Sequence, residues 1–296
     1  MDPLIKELFK PTDRQRLAER TGYYKADGKD KPGLEDLRKI FGVIDLTTLD
    51  VRDTDEKVEK ICIQVNHLPE AFPEAGTVAG ICVYPVFIPV VKKMLVNECI
   101  RIVSVAAGFP ASQTFREVKT REVALALDAG AQEIDIVISV GKILAGKQEE
   151  TLDEIREIRT LIGNKGHLKV ILESGVLNDP DKVQQAALVA MTAGADFIKT
   201  STGKIQPAAR PEDIIVMADA VKRYYQSTGK KTGIKPAGGI STPEEAFLYM
   251  KIIRDILGEE WINPSLFRIG ASRLANQTLG AILKKTTGRR QEIKYF

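Results

Sequence analysis

Two histidines, three cysteines and a single tryptophan in 296 residues leave little room for the commoner kinds of metal and thiol chemistry. His67 trails one apolar helical stretch and His167 precedes a strand-like run. Neither stands where a strand ends, so a histidine-bound zinc site is not expected. A Ser-His-Asp or Cys-His assembly is excluded by the same placement. Cys62, Cys82 and Cys99 are odd in number and form no C-x-x-C pair, which suits buried thiols in a reducing compartment better than a disulfide framework. Long hydrophobic runs are also missing. The longest, residues 77–91, is interrupted by Pro85 and Pro89 and is too short to cross a bilayer. No charge of one sign dominates: 43 basic against 40 acidic residues give a net charge of +3, too small to argue for nucleic acid or an anionic membrane. The basic group Lys284, Lys285, Arg289 and Arg290 reads as a solvated helix end. The N-terminus, Met-Asp-Pro followed by Lys6, Lys10, Asp13 and Arg14, lacks a signal-peptide apolar region. The expectation is a cytoplasmic protein without metal or cofactor.

What the chain does contain is a rhythm. Short β-branched runs near 41–46, 77–83, 100–106, 133–139, 168–174, 196–201, 233–238 and 267–271 alternate with amphipathic stretches such as 112–129, 149–162, 181–193, 211–225 and 243–257. Several helical stretches open on a capping residue and a proline or acidic first turn, as in Ser241-Thr242-Pro243-Glu244-Glu245. Near-continuous apolar strands are what a sheet covered on both faces requires. Eight such units predict an α/β fold, a single (β/α)₈ TIM barrel, with a doubly wound open sheet as competitor. Residues 1–40 stand apart as an N-terminal helical extension, with two helical pieces around Pro11 and then a polar stretch, 25–33. The barrel domain is expected over 41–285 and a short tail over 286–296.

Charged residues punctuate the strand ends: Asp45, Asp135, Glu173, Lys199 and Lys235. Isolated buried charge is costly, so such groups are expected to pair. One reading is a structural ion-pair network filling the barrel. It explains less well why Lys199 and Lys235 end successive strands, each followed at once by a glycine-containing loop. Two ammonium groups in one mouth suit Schiff-base chemistry, because an amine attacks a carbonyl only when neutral. A nearby cation and partial burial both disfavour the charged form. A mouth carboxylate can then move protons. Thr202-Gly203-Lys204, Ala237-Gly238-Gly239 and Gly270-Ala271-Ser272-Arg273 offer N–H groups, a hydroxyl and cations for a phosphate. Ser201-Thr202-Gly203-Lys204 is not a Walker A loop, since the upstream glycine is missing and Ile205 follows. Cys82 reads as a small core hydrophobe close to the mouth.

The phrases Lys199-Thr200-Ser201-Thr202-Gly203-Lys204 and Lys235-Pro236-Ala237-Gly238-Gly239 resemble the signatures of the deoxyribose-phosphate aldolases. So do Ile44-Asp45-Leu46-Thr47-Thr48-Leu49, Ile81-Cys82-Val83-Tyr84-Pro85, Glu133-Ile134-Asp135-Ile136-Val137, Lys169-Val170-Ile171-Leu172-Glu173 and Arg268-Ile269-Gly270-Ala271-Ser272. These occur in order over residues 41–280. The resemblance implies class I, metal-independent cleavage of 2-deoxy-D-ribose 5-phosphate to acetaldehyde and D-glyceraldehyde 3-phosphate. It implies that Lys199 forms the imine, that Lys235 perturbs the Lys199 amine, and that Asp135 shuttles a proton through a water. Asp45, Lys169 and Cys82 would belong to the supporting network. Gly203, Lys204, Gly238, Gly239 and Ser272 would hold the phosphate. A homo-oligomer, a dimer first, is also implied.

Arg273 stands where bacterial relatives often carry a second serine, and Ser139-Val140-Gly141-Lys142-Ile143-Leu144 departs from their pattern. Some relatives carry a C-terminal tyrosine that reaches the site. Tyr295 is penultimate here, and an untethered tail is expected. The rival functions are a Schiff-base aldolase or transaldolase for another sugar phosphate, and a sugar-phosphate-binding barrel without turnover.

Overall fold

The eight β-branched runs form eight short parallel strands: β1 (Ile44–Thr47), β2 (Gly80–Val83), β3 (Arg101–Ala106), β4 (Glu133–Val137), β5 (His167–Ile171), β6 (Phe197–Lys199), β7 (Gly233–Lys235) and β8 (Ile269–Ala271). The computed structural model describes residues 2–27, 31–289 and 291–296; Arg290 and residues 28–30 of the polar stretch lie outside them. Each strand pairs with its sequence neighbour, and β1 pairs with β8. Parallel bridges Ile234↔Phe267 and Ala237↔Gly270 join β7 to the segment around β8 and close the cylinder. This is the (β/α)₈ barrel expected from the sequence.

Strand alternation sorts the side chains. Outward-facing Ile44, Ile81, Ile134, Val170, Ile198, Ile234 and Ile269 are fully buried in one apolar core beneath the helices. Their inward neighbours are mostly not aliphatic. Asp45, Glu133, Asp135, Lys169, Lys199 and Lys235 are all buried, although Val, Ile and Leu are the usual lining of such a lumen. Cys82, Val103 and Val105, with Leu49, make a small apolar cluster inside.

The helix Pro243–Leu257 begins where a cap was expected, with Thr242 as the cap residue and a capping box closed by Glu245. The Glu245 backbone N–H donates to Thr242 Oγ1 at 3.2 Å, and the Thr242 N–H donates to Glu245 Oε2 at 3.0 Å. Helices Gln148–Ile162, Pro180–Thr192 and Pro211–Thr228 also start within a residue of expectation.

The helix Leu34–Gly42 was not anticipated, and it pushes the start of β1 three residues later than the 41–46 run suggested. Leu37, Ile40 and Phe41 recur at helical spacing and are buried against the helices Pro243–Leu257 and Arg273–Thr287. Ahead of it, the helices Pro3–Leu8 and Arg14–Asp27 pack on Pro180–Thr192 and Pro211–Thr228.

The tail is docked, which corrects the expectation of an untethered end. The Tyr295 and Phe296 N–H groups each donate to Asn276 Oδ1 at 3.0 Å. The Tyr295 hydroxyl donates to the Gln64 carbonyl at 2.7 Å, and its ring meets Phe72 edge-on at 5.1 Å. Gln64 lies in the last turn of the helix Asp55–Asn66. Asn276 lies in the first turn of the helix Arg273–Thr287, so the tail end is held between these two helices. No described helix is long and apolar enough to cross a membrane.

Candidate active site

Inside the barrel, register brings the charged strand residues level with one another. Asp135 is paired across β4 and β5 with Lys169, and Lys199 across β6 and β7 with Lys235. Asp45 lies level with Gly80 and Gly270 on either side. Gly270 leaves room for a neighbour: a Cβ there would stand 3.2 Å from Lys235 Cε.

Asp135 is the hub. Its Oδ2 accepts from Lys199 Nζ and from Lys235 Nζ, each at 2.8 Å, and its Oδ1 accepts from Lys169 Nζ at 3.1 Å. Lys169 also donates to Glu133 Oε2. Lys235 Nζ stands 2.5 Å from Asp45 Oδ2 as an ion pair, although that oxygen accepts no well-directed hydrogen bond. Beneath them Arg268 bridges Asp45 Oδ1 and Glu133 Oε1, the latter at 2.8 Å. Lys169 Nζ and the Arg268 guanidinium lie 5.8 and 5.9 Å from the centre of the Phe197 ring, which floors the cluster.

Burial works against the charges of Asp45, Glu133, Asp135, Lys169, Lys235 and Arg268, and opposite charge outweighs it at each. Lys169, Lys199 and Lys235 hold the Asp135 carboxyl well below the usual carboxylate range. Lys169, His167 and Arg268 depress Glu133, and Lys235, Arg268 and Lys169 depress Asp45. Reciprocally, Asp135 and Asp45 raise Lys235, and Asp135 with Glu133 raises Lys169. Lys235 and Lys169 are therefore fixed cations, each touching two carboxylates, whereas Lys199 touches one. Cys82 lies beside the cluster, fully buried, and burial pushes its thiol up to about 11. It is a protonated, inert neighbour at neutral pH.

Above the hub opens a cavity of about 540 Å³, and of the residues expected to do chemistry only Lys199 lines it. Asp135, Lys235, Asp45, Lys169 and Cys82 lie beneath. Gly203, Lys204, Gly238, Gly239 and Ser272 all line the wall. Gly238 has φ +83°, and a Cβ there would meet Ala208 Cβ at 2.7 Å, so the turn admits only glycine. Thr200 Oγ1 accepts from the Ala237 N–H at 2.9 Å and ties the loops after β6 and β7 together. Ser272 caps the helix Arg273–Thr287 without a side-chain capping bond, leaving its hydroxyl and the first turn's N–H groups turned to the same wall. Arg273 lines the cavity as well.

Glu133, Arg268 and Phe197 were not assigned places in the site from sequence, and Glu173 was marked only as a strand-end charge without a role. Glu133 was legible, since it sits two residues before Asp135 and strand alternation must send both inward. Glu173 braces the loop after β6: Thr202 donates to it through its N–H at 3.2 Å and its hydroxyl at 2.6 Å. Among the described residues no group of three or more His, Cys, Asp or Glu side chains is arranged to hold a metal ion.

Fold and site together define a (β/α)₈-barrel enzyme in which Lys199 lines the cavity beside a buried carboxylate, with glycine-rich turns after β6–β8 forming the cavity wall. The chain belongs to the DeoC/LacD aldolase family, whose sequence profile matches residues 40–255. It is 40% identical over 263 residues to the human deoxyribose-phosphate aldolase, and 41% to that of the mouse. Both matches cover 86% of this chain and 82% of the relative. A tetrameric deoxyribose phosphate aldolase structure from Aeropyrum pernix superposes with TM-score 0.63 at 25% identity, covering 94% of this chain and all of that one.

Proposed function

We propose that this chain catalyses the reversible cleavage of 2-deoxy-D-ribose 5-phosphate to D-glyceraldehyde 3-phosphate and acetaldehyde through a Schiff base on Lys199. The observation that carries the reading is positional: Lys199 Nζ lines the cavity while sitting 2.8 Å from buried Asp135.

The buried cluster around that amine is uneven in charge. Lys169, Lys199, Lys235 and Arg268 face Asp45, Glu133 and Asp135, so four cations meet three carboxylates, and one released proton balances the cluster. Lys199 has the fewest carboxylate contacts and the substrate side to itself. Its amine adds to the C1 aldehyde, and loss of water gives the imine. Removal of the C3 hydroxyl proton breaks the C2–C3 bond, releases glyceraldehyde 3-phosphate and leaves an enamine on Lys199. Protonation at C2 and hydrolysis free acetaldehyde.

Lys235, held charged beside the same carboxylate oxygen, disfavours a second charge at Lys199. Asp135 accepts and returns protons as its lysine partners change state. The phosphate would sit against Gly203, Lys204, Gly238, Gly239 and Ser272, at the N-terminus of the helix Arg273–Thr287, with Arg273 as an added cation. No resident cofactor is called for, and the enzyme would act as a cytoplasmic homo-oligomer, a dimer first. Light scattering of the purified chain tests the assembly.

The substrate is tested by coupled assay of glyceraldehyde 3-phosphate release. Deoxyribose 5-phosphate is expected to turn over, and fructose 6-phosphate is not. The reverse preference assigns the chain to ketose chemistry instead.

A further inference from the structure

The N-terminal extension builds a second cavity that the aldol reaction does not use. It measures about 470 Å³ and lies between the chain around residues 10–24 and the outer helices Pro180–Thr192 and Pro211–Thr228. Its frame is fixed. Gln184 exchanges two hydrogen bonds with the Lys10 backbone, at 2.7 and 2.8 Å, and Asp181 accepts from the Thr12 N–H at 2.7 Å.

The lining is cationic in excess: Lys10, Arg16, Arg20, Lys222 and Arg223 against three aspartates. Those aspartates are already engaged. Asp219 takes both Arg20 Nη atoms, at 2.5 and 3.1 Å. Asp13 accepts from the Arg16 backbone N–H at 3.0 Å. Asp255 faces the Tyr24 phenol.

Two polar atoms on this lining are buried without a hydrogen-bond partner, Thr12 Oγ1 and Arg223 Nη2. Arg223 is otherwise held by its Nε donating to the Leu8 carbonyl at 3.1 Å. A buried guanidinium N–H without an acceptor is rare unless something else satisfies it. The remaining wall is apolar, from Leu17, Val216 and Ile256. Such a site matches an anion that accepts several charge-assisted hydrogen bonds and carries a non-polar body.

We infer that this cavity binds a small phosphomonoester, its phosphate held by Arg223, Lys222, Arg16 and the Thr12 hydroxyl and its organic part against Leu17 and Val216. The site is separate from the catalytic mouth and exists only because the extension packs on the barrel.

Phenyl phosphate, titrated into the full chain and followed by hydrogen exchange, tests this. The expected result is protection of residues 10–24 and 216–223, lost at least tenfold in apparent affinity in Lys222→Gln/Arg16→Gln. Both side chains in that variant are exposed, so the fold is left intact and turnover of deoxyribose 5-phosphate is unchanged. Arg223→Gln is expected to show the same loss. Protection confined to the loops around 203 and 238, or protection of 10–24 that survives the double substitution, overturns the proposal.

Discussion

The floor and the mouth of this barrel use the same residue types to opposite ends. At the floor Arg268, Lys169, Glu133 and Asp45 are sealed above Phe197, and each cation touches two carboxylates. At the mouth Lys199 touches one carboxylate and faces a cavity of about 540 Å³. Lys169 in the first setting is held as a structural cation between two buried carboxylates. Lys199 has one such partner and an open side toward the cavity. The difference lies in carboxylate count and solvent access: Lys169 sits mid-strand in β5, whereas Lys199 ends β6 at the cavity.

The largest effect that tests this contrast is at the mouth. Lys199→Ala is expected to lower kcat by roughly 10⁴-fold or more, the scale on which an essential nucleophile is lost, with unfolding in urea little changed. Comparable residual turnover would move the nucleophile elsewhere.

The floor is expected to behave conversely. Arg268→Met removes one of the two cations that each of Asp45 and Glu133 contacts, and breaking one side of a buried pair costs about 3–5 kcal/mol, read from urea unfolding. The pH dependence sharpens the same point. Asp45, Glu133 and Asp135 are depressed below unfolded values of about 4. Their stabilisation is complete above about pH 4 and is lost as pH falls through and below that value. Lys169 and Lys235 are raised above about 10.4, so their contribution is lost only as pH climbs beyond it. Melting temperature should therefore be flat between these limits, apart from effects of surface charge. A steep loss near neutral pH would mean that the floor is not ionised.

Between floor and mouth, Lys235→Leu is expected to move the pH–rate profile to higher pH while Lys199 still reacts. An unchanged profile with weaker binding makes Lys235 a positioning group only. Smaller again, Lys204→Ala removes one charge-assisted contact, worth about 1.5–3 kcal/mol, and should appear in KM for deoxyribose 5-phosphate more than in kcat. The smallest effect is at Cys82. With its thiol held protonated, it should resist iodoacetamide in the folded chain at pH 8, while exposed Cys99 reacts.

Much of this was legible in the sequence because apolar strand-like runs alternate with helical ones. Charges at the ends of the apolar runs marked Asp45, Asp135, Lys199 and Lys235, the family resemblance added Lys169, and Gly203, Gly238 and Gly239 marked tight turns beside them. The helix Leu34–Gly42 was hidden because it abuts β1 with only Val43 between, so two apolar patterns run together. Arg268 was hidden because it lies just before β8, where strand-end reasoning does not look. The docking of Tyr295 depends on Asn276 and Gln64, polar side chains whose meeting no local pattern encodes.

The central claim is that Lys199 is the imine-forming amine. Incubation with acetaldehyde and sodium borohydride, followed by peptide mass spectrometry, tests it most directly. An ethyl adduct confined to Lys199 is the predicted result. No adduct in folded protein, or an adduct on Lys235 instead, would contradict it.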